Sequence, residues 1–64
     1  MNQTYDVIAV SLADRSVRLI AHDKDARNSE AIIDAAVVRR GVKDEFFTTA
    51  PHLTYRDGDK WRGA

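Results

Sequence analysis

Apolar residues recur at helical spacing over residues 28–41, and this stretch predicts the single helix of the chain. Ile33, Ala36 and Val37 form a stripe at i, i+3 and i+4, the spacing that places side chains on one side of a helix. Further alanine, isoleucine and valine residues widen this stripe. We therefore expect the helix to contact more than one partner surface.

The ends of this helix are predicted from residues that satisfy its unpaired backbone groups. Asn28 is the expected N-cap, with Ser29 as the competing residue, because such side chains accept hydrogen bonds from first-turn amides. Arg39 and Arg40 lie in the last turn, where the helix dipole favours cations. Gly41 suits the left-handed position that follows many helices.

Three stretches with many β-forming residues predict strands over residues 4–12, 17–22 and 45–50. The first stretch has apolar residues on both faces, which indicates a central strand. In the second, alternation places Val17 and Leu19 on one face, and we expect this face to meet the helix.

The C-terminal residues carry two turn signals. Pro51 ends the third strand because it cannot donate to a ladder. Asp57 and Gly58 form the strongest short hairpin signal in the chain, so the last dozen or so residues are predicted to be a hairpin or a partly loose tail.

These elements predict a single small α+β domain over residues 1–64, with the order ββαβ and an optional last strand. One helix packs on one face of a three- or four-stranded, mainly antiparallel sheet with strand order 2-1-3. The other face has no cover within the chain, and we expect it to be an apolar interface. The residues predicted to line it are Tyr5, Val7, Ala9, Ile20, Phe46 and Phe47.

Chain length and composition favour self-association. A chain of 64 residues buries a limited core, and with no cysteine it has no disulfide to stabilise it. We therefore expect a homodimer, or a complex with an unidentified protein. The absence of cysteine, of an N-terminal leader and of a long apolar span favours a cytoplasmic protein that does not enter a membrane.

Charge is balanced, with ten basic and ten acidic side chains, which argues against nonspecific nucleic-acid binding. A local basic patch remains the alternative, because aromatic side chains near cations can stack on bases. The groups that would form this nucleic-acid site are Arg39, Arg40, Lys43, Tyr55, Arg56, Lys60, Trp61 and Arg62.

Candidate chemistry is sparse. His22, Asp23 and His52 lack the spacing of a metal site, and the serines have neither a local base nor a nucleophile elbow. The three glycines form no phosphate-binding loop. We therefore predict no catalytic residue, no metal and no cofactor, and we interpret the chain as a small interaction or structural module rather than an enzyme.

Overall fold

The computed structural model describes residues 3–40 and 44–63. In chain order, these residues form strand β1 (Tyr5–Ser11), strand β2 (Val17–Lys24), helix α1 (Ala26–Arg40) and strand β3 (Glu45–Pro51). The strands make one sheet in the order β2-β1-β3, and β1 is antiparallel to both neighbours. The predicted α+β domain and its 2-1-3 strand order are confirmed. Within the described residues, α1 is too short and too polar to cross a membrane.

Strand β1 is the centre of the molecule. Residues 6–10 are all buried, with at most 2 % of any residue exposed. A strand buried at five successive positions needs cover on both faces as well as a neighbour at each edge. The prediction of a central first strand is confirmed, and both faces of the sheet are covered.

One face is covered by the C-terminal segment of residues 52–63, here called the tail. Ile8 and Val10 pair with Leu19 and Val17 across the β1–β2 ladder, so their side chains share this face. The resulting core contains Ile8, Val10, Val17, Ala50 and Tyr55, with Leu19, Phe46 and Trp61 packed against it. The expectation that one face lacks cover within the chain is wrong, because the tail folds over it.

The opposite face is covered by α1. Ala9 pairs with Arg18, and Arg18 and Ile20 line a groove together with Ile32 and Ala36 of the helix. The expectation that Val17 and Leu19 face the helix is therefore wrong. Both faces of β1 are apolar, so alternation defined two sides without indicating which one the helix covers.

Helix α1 begins earlier than the sequence predicts. The amide of Asn28 donates to Asp25 Oδ1 at 2.8 Å, and the amide of Ser29 donates to the Asp25 carbonyl at 2.9 Å. Asp25 is therefore the N-cap, and Asn28 lies within the first turn. Asp25 and Asn28 are both good capping residues and lie three positions apart. The path of the chain from β2 determines which of them caps the helix. The cap predicted at Gly41 lies outside the described residues.

The turn at Asp57 and Gly58 forms, but the strands of the predicted hairpin do not. Gly58 has a φ of 91°, and its amide donates to the carbonyl of Val17 at 2.8 Å. The amide of Val17 donates to the Asp59 carbonyl at 2.8 Å, and Lys60 forms a bridge with Ser16. The tail therefore pairs with the outer edge of β2 rather than with itself.

Replacement of Asp25 by alanine tests the observed helix start. We expect Asp25→Ala to lower the free energy of unfolding by about 1 kcal/mol, because a first-turn amide loses its acceptor. Asn28→Ala is the matched control and should cost less than about 0.5 kcal/mol. Urea denaturation monitored by circular dichroism measures both values. A larger loss in Asn28→Ala would contradict the Asp25 cap.

Candidate functional site

The carboxylate of Asp6 is the main buried polar centre among the described residues. Asp6 is 2 % exposed and lies on the tail face of β1. Its Oδ1 accepts from the amide of Asp23 at 3.0 Å and from Nδ1 of His52 at 2.8 Å, and its Oδ2 accepts from the amide of Leu53 at 3.0 Å. One side chain thus joins β1 to the end of β2 and to the start of the tail.

Both amides that bind this carboxylate belong to residues with a left-handed backbone. Asp23 has a φ of 61° and Leu53 a φ of 69°. Such conformations are unfavourable for residues other than glycine, and they persist where surrounding contacts hold them in place. The β1–β2 register shifts next to Asp23, between the Tyr5 and Val7 pairs. The buried charge therefore fixes two turns that the local sequence does not favour.

Electrostatics strengthen the contact between Asp6 and His52. Burial by itself raises the pKa of Asp6, but the hydrogen bonds from His52, Asp23 and Leu53 together outweigh burial and leave this pKa below its ordinary value. The hydrogen bond to Asp6 raises the pKa of His52. The pair is therefore ionised on both sides over the mildly acidic range.

Two further groups surround His52. Its Nε2 lies 4.0 Å from Oδ1 of Asp23, and its ring stacks against His22 with 6.1 Å between centroids. An Asp–His pair is one part of a nucleophilic catalytic site. Here the carboxylate already holds two backbone amides, and within residues 3–40 and 44–63 no three His, Cys, Asp or Glu side chains could hold a metal. The geometry suits a structural contact, here called the latch, in which Asp6 binds His52 and Leu53 and so holds the tail on the sheet.

Sequence analysis missed this cluster. Asp6 was visible as the one charged residue within an apolar strand, and a buried carboxylate requires donors. Its principal partners, His52 and Leu53, lie more than 40 positions away, and only the fold brings them together.

The residues predicted to line an open sheet face lie on both faces of the sheet. Val7 and Ala9 are buried at 0 % and 1 % exposure, so they present no surface. Phe46 pairs with Val10 and lies on the tail face, whereas Phe47 pairs with Ala9 and lies on the helix face. Tyr5, Ile20, Phe46 and Phe47 are half-buried. The prediction of one apolar surface made by all six residues is wrong, because two of them are buried and the six are divided between the two faces of the sheet.

The basic residues of the predicted nucleic-acid site are also divided. Arg39 belongs to α1, on one face of the sheet, whereas the tail carries its cations on the other face. The tail residues of this set are Arg56, Lys60 and Arg62, all exposed, together with Tyr55 and Trp61. The Arg40 side chain and Lys43 lie outside the described residues.

The two aromatic residues of that set are occupied within the protein. Tyr55 is buried, and the Arg62 guanidinium lies 4.7 Å from its ring centroid. Trp61 makes an edge contact with Phe46 at 4.9 Å and carries the Arg15 guanidinium 5.6 Å from its ring centroid. Each ring therefore already has an arginine of the protein over it.

Replacement of Asp6 by alanine should be among the most destabilising single changes on the tail face. Asp6→Ala removes the acceptor for two amides and for His52, and we expect a loss of about 2–4 kcal/mol in the free energy of unfolding. The matched control is Asp14→Ala, because Asp14 also accepts a backbone amide, from Ser16, but in an exposed turn. The control should cost less than about 1 kcal/mol in the same urea titration. Equal losses would contradict a latch role for Asp6.

Stability should depend on pH through His52. Its raised pKa means that the stabilisation is complete below the ordinary pKa of 6.5 and is lost as the pH rises through the raised value. The lowered pKa of Asp6 means that its stabilisation is complete above the ordinary 3.8 and is lost as the pH falls through the lowered value. We therefore expect the maximum contribution between pH 3.8 and 6.5.

Two histidine variants distinguish the contributions of His52 and His22 to the pH dependence of stability. His52→Gln should remove the decline of the unfolding midpoint on the alkaline side, as measured by thermal denaturation from pH 5 to 9, roughly the range in which histidine titrates. His22→Gln is the control, because His22 stacks on His52 without contacting Asp6, and it should keep the decline. The same flattening in both variants would show that the Asp6 contact does not cause the pH dependence.

Comparison with known proteins adds no family to this geometry. No protein-family model, no curated protein and no solved structure matches the chain. Its function must therefore be inferred from its own contacts and surfaces.

Proposed function

We propose that this chain is a small non-enzymatic interaction module that self-associates. The observation that carries the proposal is the incomplete burial of α1. Eight of its fifteen residues are apolar, and none of these eight is buried. Among residues 26–39, whose side chains the structure describes, the buried residue is a polar one, Ser29, at 1 % exposure. A helix of this composition gains most of its stability from packing, so a second surface should complete it.

Part of the unburied surface of α1 borders a groove that the helix forms with the sheet. A groove of about 510 Å³ runs between the helix and β2, with Ile20, Ile32 and Ala36 among its lining residues. Elsewhere on the helix, Val37 is 36 % exposed. Exposed apolar surface on a small domain is typical of a protein–protein contact.

Self-association is favoured over a lone monomer by the size of the chain. A 64-residue domain buries a smaller fraction of its surface than a larger one, and this chain has no cysteine for a disulfide. Oligomerisation is then the remaining common way to add buried apolar area. Each copy would present the same apolar helix surface, and a two-fold contact uses one patch twice.

A non-enzymatic role is supported by the use that the chain makes of its polar residues. The Asp6 carboxylate holds backbone amides, and the hydroxyl of Ser29 donates to the Asp25 carbonyl at 2.8 Å in the first helical turn. These groups are engaged in local structure instead of facing a cleft. The absence of cysteine suits a reducing compartment, so we also propose a cytoplasmic location.

Concentration dependence tests the proposal. We expect the mass from multi-angle light scattering to double between low-micromolar and near-millimolar protein. The midpoint of thermal unfolding should rise over the same range, because association stabilises the folded state by mass action. A constant monomer mass together with a constant midpoint would contradict self-association. A mass shift that appeared only with added oligonucleotide would favour the nucleic-acid alternative instead.

A further inference from the structure

The two outer edges of the sheet differ in how they are covered. At the β2 edge, the tail supplies partners: Val17 exchanges backbone hydrogen bonds with Gly58 and Asp59, and the amide of Leu19 donates to Oδ1 of Asp57 at 2.6 Å. Such cover prevents an edge strand from pairing with another chain. The β3 edge has no such cover from the tail, and it is there that this chain can accept a further strand.

The pairing of β3 with β1 determines which backbone N–H and C=O groups of β3 point toward β1 and which point outward. The amide of Leu12 donates to the Asp44 carbonyl at 3.0 Å, and the amide of His52 donates to the Thr4 carbonyl at 3.1 Å. These two bonds mark the ends of one ladder, and its register from Tyr5–Pro51 to Ser11–Glu45 has no shift. Even-numbered positions of β3 therefore direct their N–H and C=O groups toward β1.

Odd-numbered positions of β3 direct the same groups outward. Phe47 and Thr49 thus present two N–H donors and two C=O acceptors along the outer edge, and no residue of the described chain pairs with them there. Between Glu45 and Pro51, the strand lacks the usual protection of an edge. It has no bulge against β1, no lysine, and no proline before Pro51 at its end.

We infer that a second copy of this chain adds its own β3 antiparallel to this edge, with the two-fold axis passing beside Thr48. This inference rests on the proposed self-association and names its surface. In this register the two seven-residue strands overlap completely. Phe47 lies opposite Thr49 of the second copy, and the two pairs exchange four backbone hydrogen bonds. The result is one six-stranded sheet.

The side chains suit this register. Thr48 faces its own copy at the axis, and threonine pairs are favourable across antiparallel strands. Phe46 lies opposite Ala50 of the second copy, so residues 46–50 bring no charge against a like charge. Glu45 lies opposite Pro51, whose missing N–H marks the end of the ladder. The strand is therefore complementary to itself along its whole length.

The helices support the same arrangement. A two-fold axis perpendicular to the sheet places both copies of α1 on one face, beside the axis. Residues such as Asn28, Ile32 and Ala35 line the grooves on the β2 side of the helix. At 100° per residue, Ile33 and Val37 then lie toward β3. Pairing at β3 brings these two apolar residues toward their copies and covers part of the unburied helix.

Proline substitution tests the edge without removing a bond to β1. Thr49→Pro removes an outward amide, so the monomer should keep its fold, while the dimer dissociation constant should rise by more than about tenfold. Thr48→Pro removes an amide that bonds to β1 and should unfold the chain. The control is Val38→Lys, on the helix side that faces away from the sheet, and it should leave the dimer intact.

Amide hydrogen exchange of the unaltered chain gives a second readout that needs no variant. At high concentration, the amides of Phe47 and Thr49 should be protected together with those of Phe46 and Thr48. On dilution below the dissociation constant, only Phe47 and Thr49 should lose protection, because the other two bond within the monomer.

The possible results separate this inference from the proposed function. A dimer that requires Thr49 and protects its amide supports pairing at β3. A dimer that survives Thr49→Pro, with Phe47 and Thr49 exchanging freely at high concentration, overturns the edge contact and leaves self-association standing. A monomer at every concentration overturns both.

Discussion

The apolar character of both faces of β1 is the constraint on which the rest of this structure depends. Residues 7–10 are at most 1 % exposed, which one layer of cover cannot achieve. A chain with a single helix must therefore find a second layer elsewhere, and the tail supplies it with Tyr55 and Trp61. The described residues thus form three layers, which are the tail, the sheet and α1.

The second layer has little regular structure, so it must be held by specific contacts. A helix or strand satisfies its own backbone, whereas an irregular segment needs external partners for its amides. Asp6 supplies such a partner for Leu53 at the start of the tail. The carbonyl of Val17 in β2 accepts from Gly58, and the carbonyl of Arg15 in the preceding turn accepts from Trp61. A charge buried in the central strand thus organises a segment distant in sequence.

The position of the tail determines which surfaces of the domain are left for association. While it covers one sheet face and the β2 edge, it leaves the β3 edge and much of α1 without cover among the described residues. Self-pairing at β3 would satisfy those backbone groups and add apolar contact to the helix in one step.

The sequence alone determined the elements of the fold. The spacing of apolar residues predicted one helix and three strands, and the two-faced first strand predicted the 2-1-3 order, since local periodicity carries this information. Tertiary structure alone decided which face the helix covers, because β1 carries apolar residues on both faces. It alone chose Asp25 over Asn28 as the helix cap, and it paired the tail with β2. It alone also joined Asp6 to His52 across 46 positions, a contact that no local pattern encodes because the two residues meet only once the tail has folded onto the sheet.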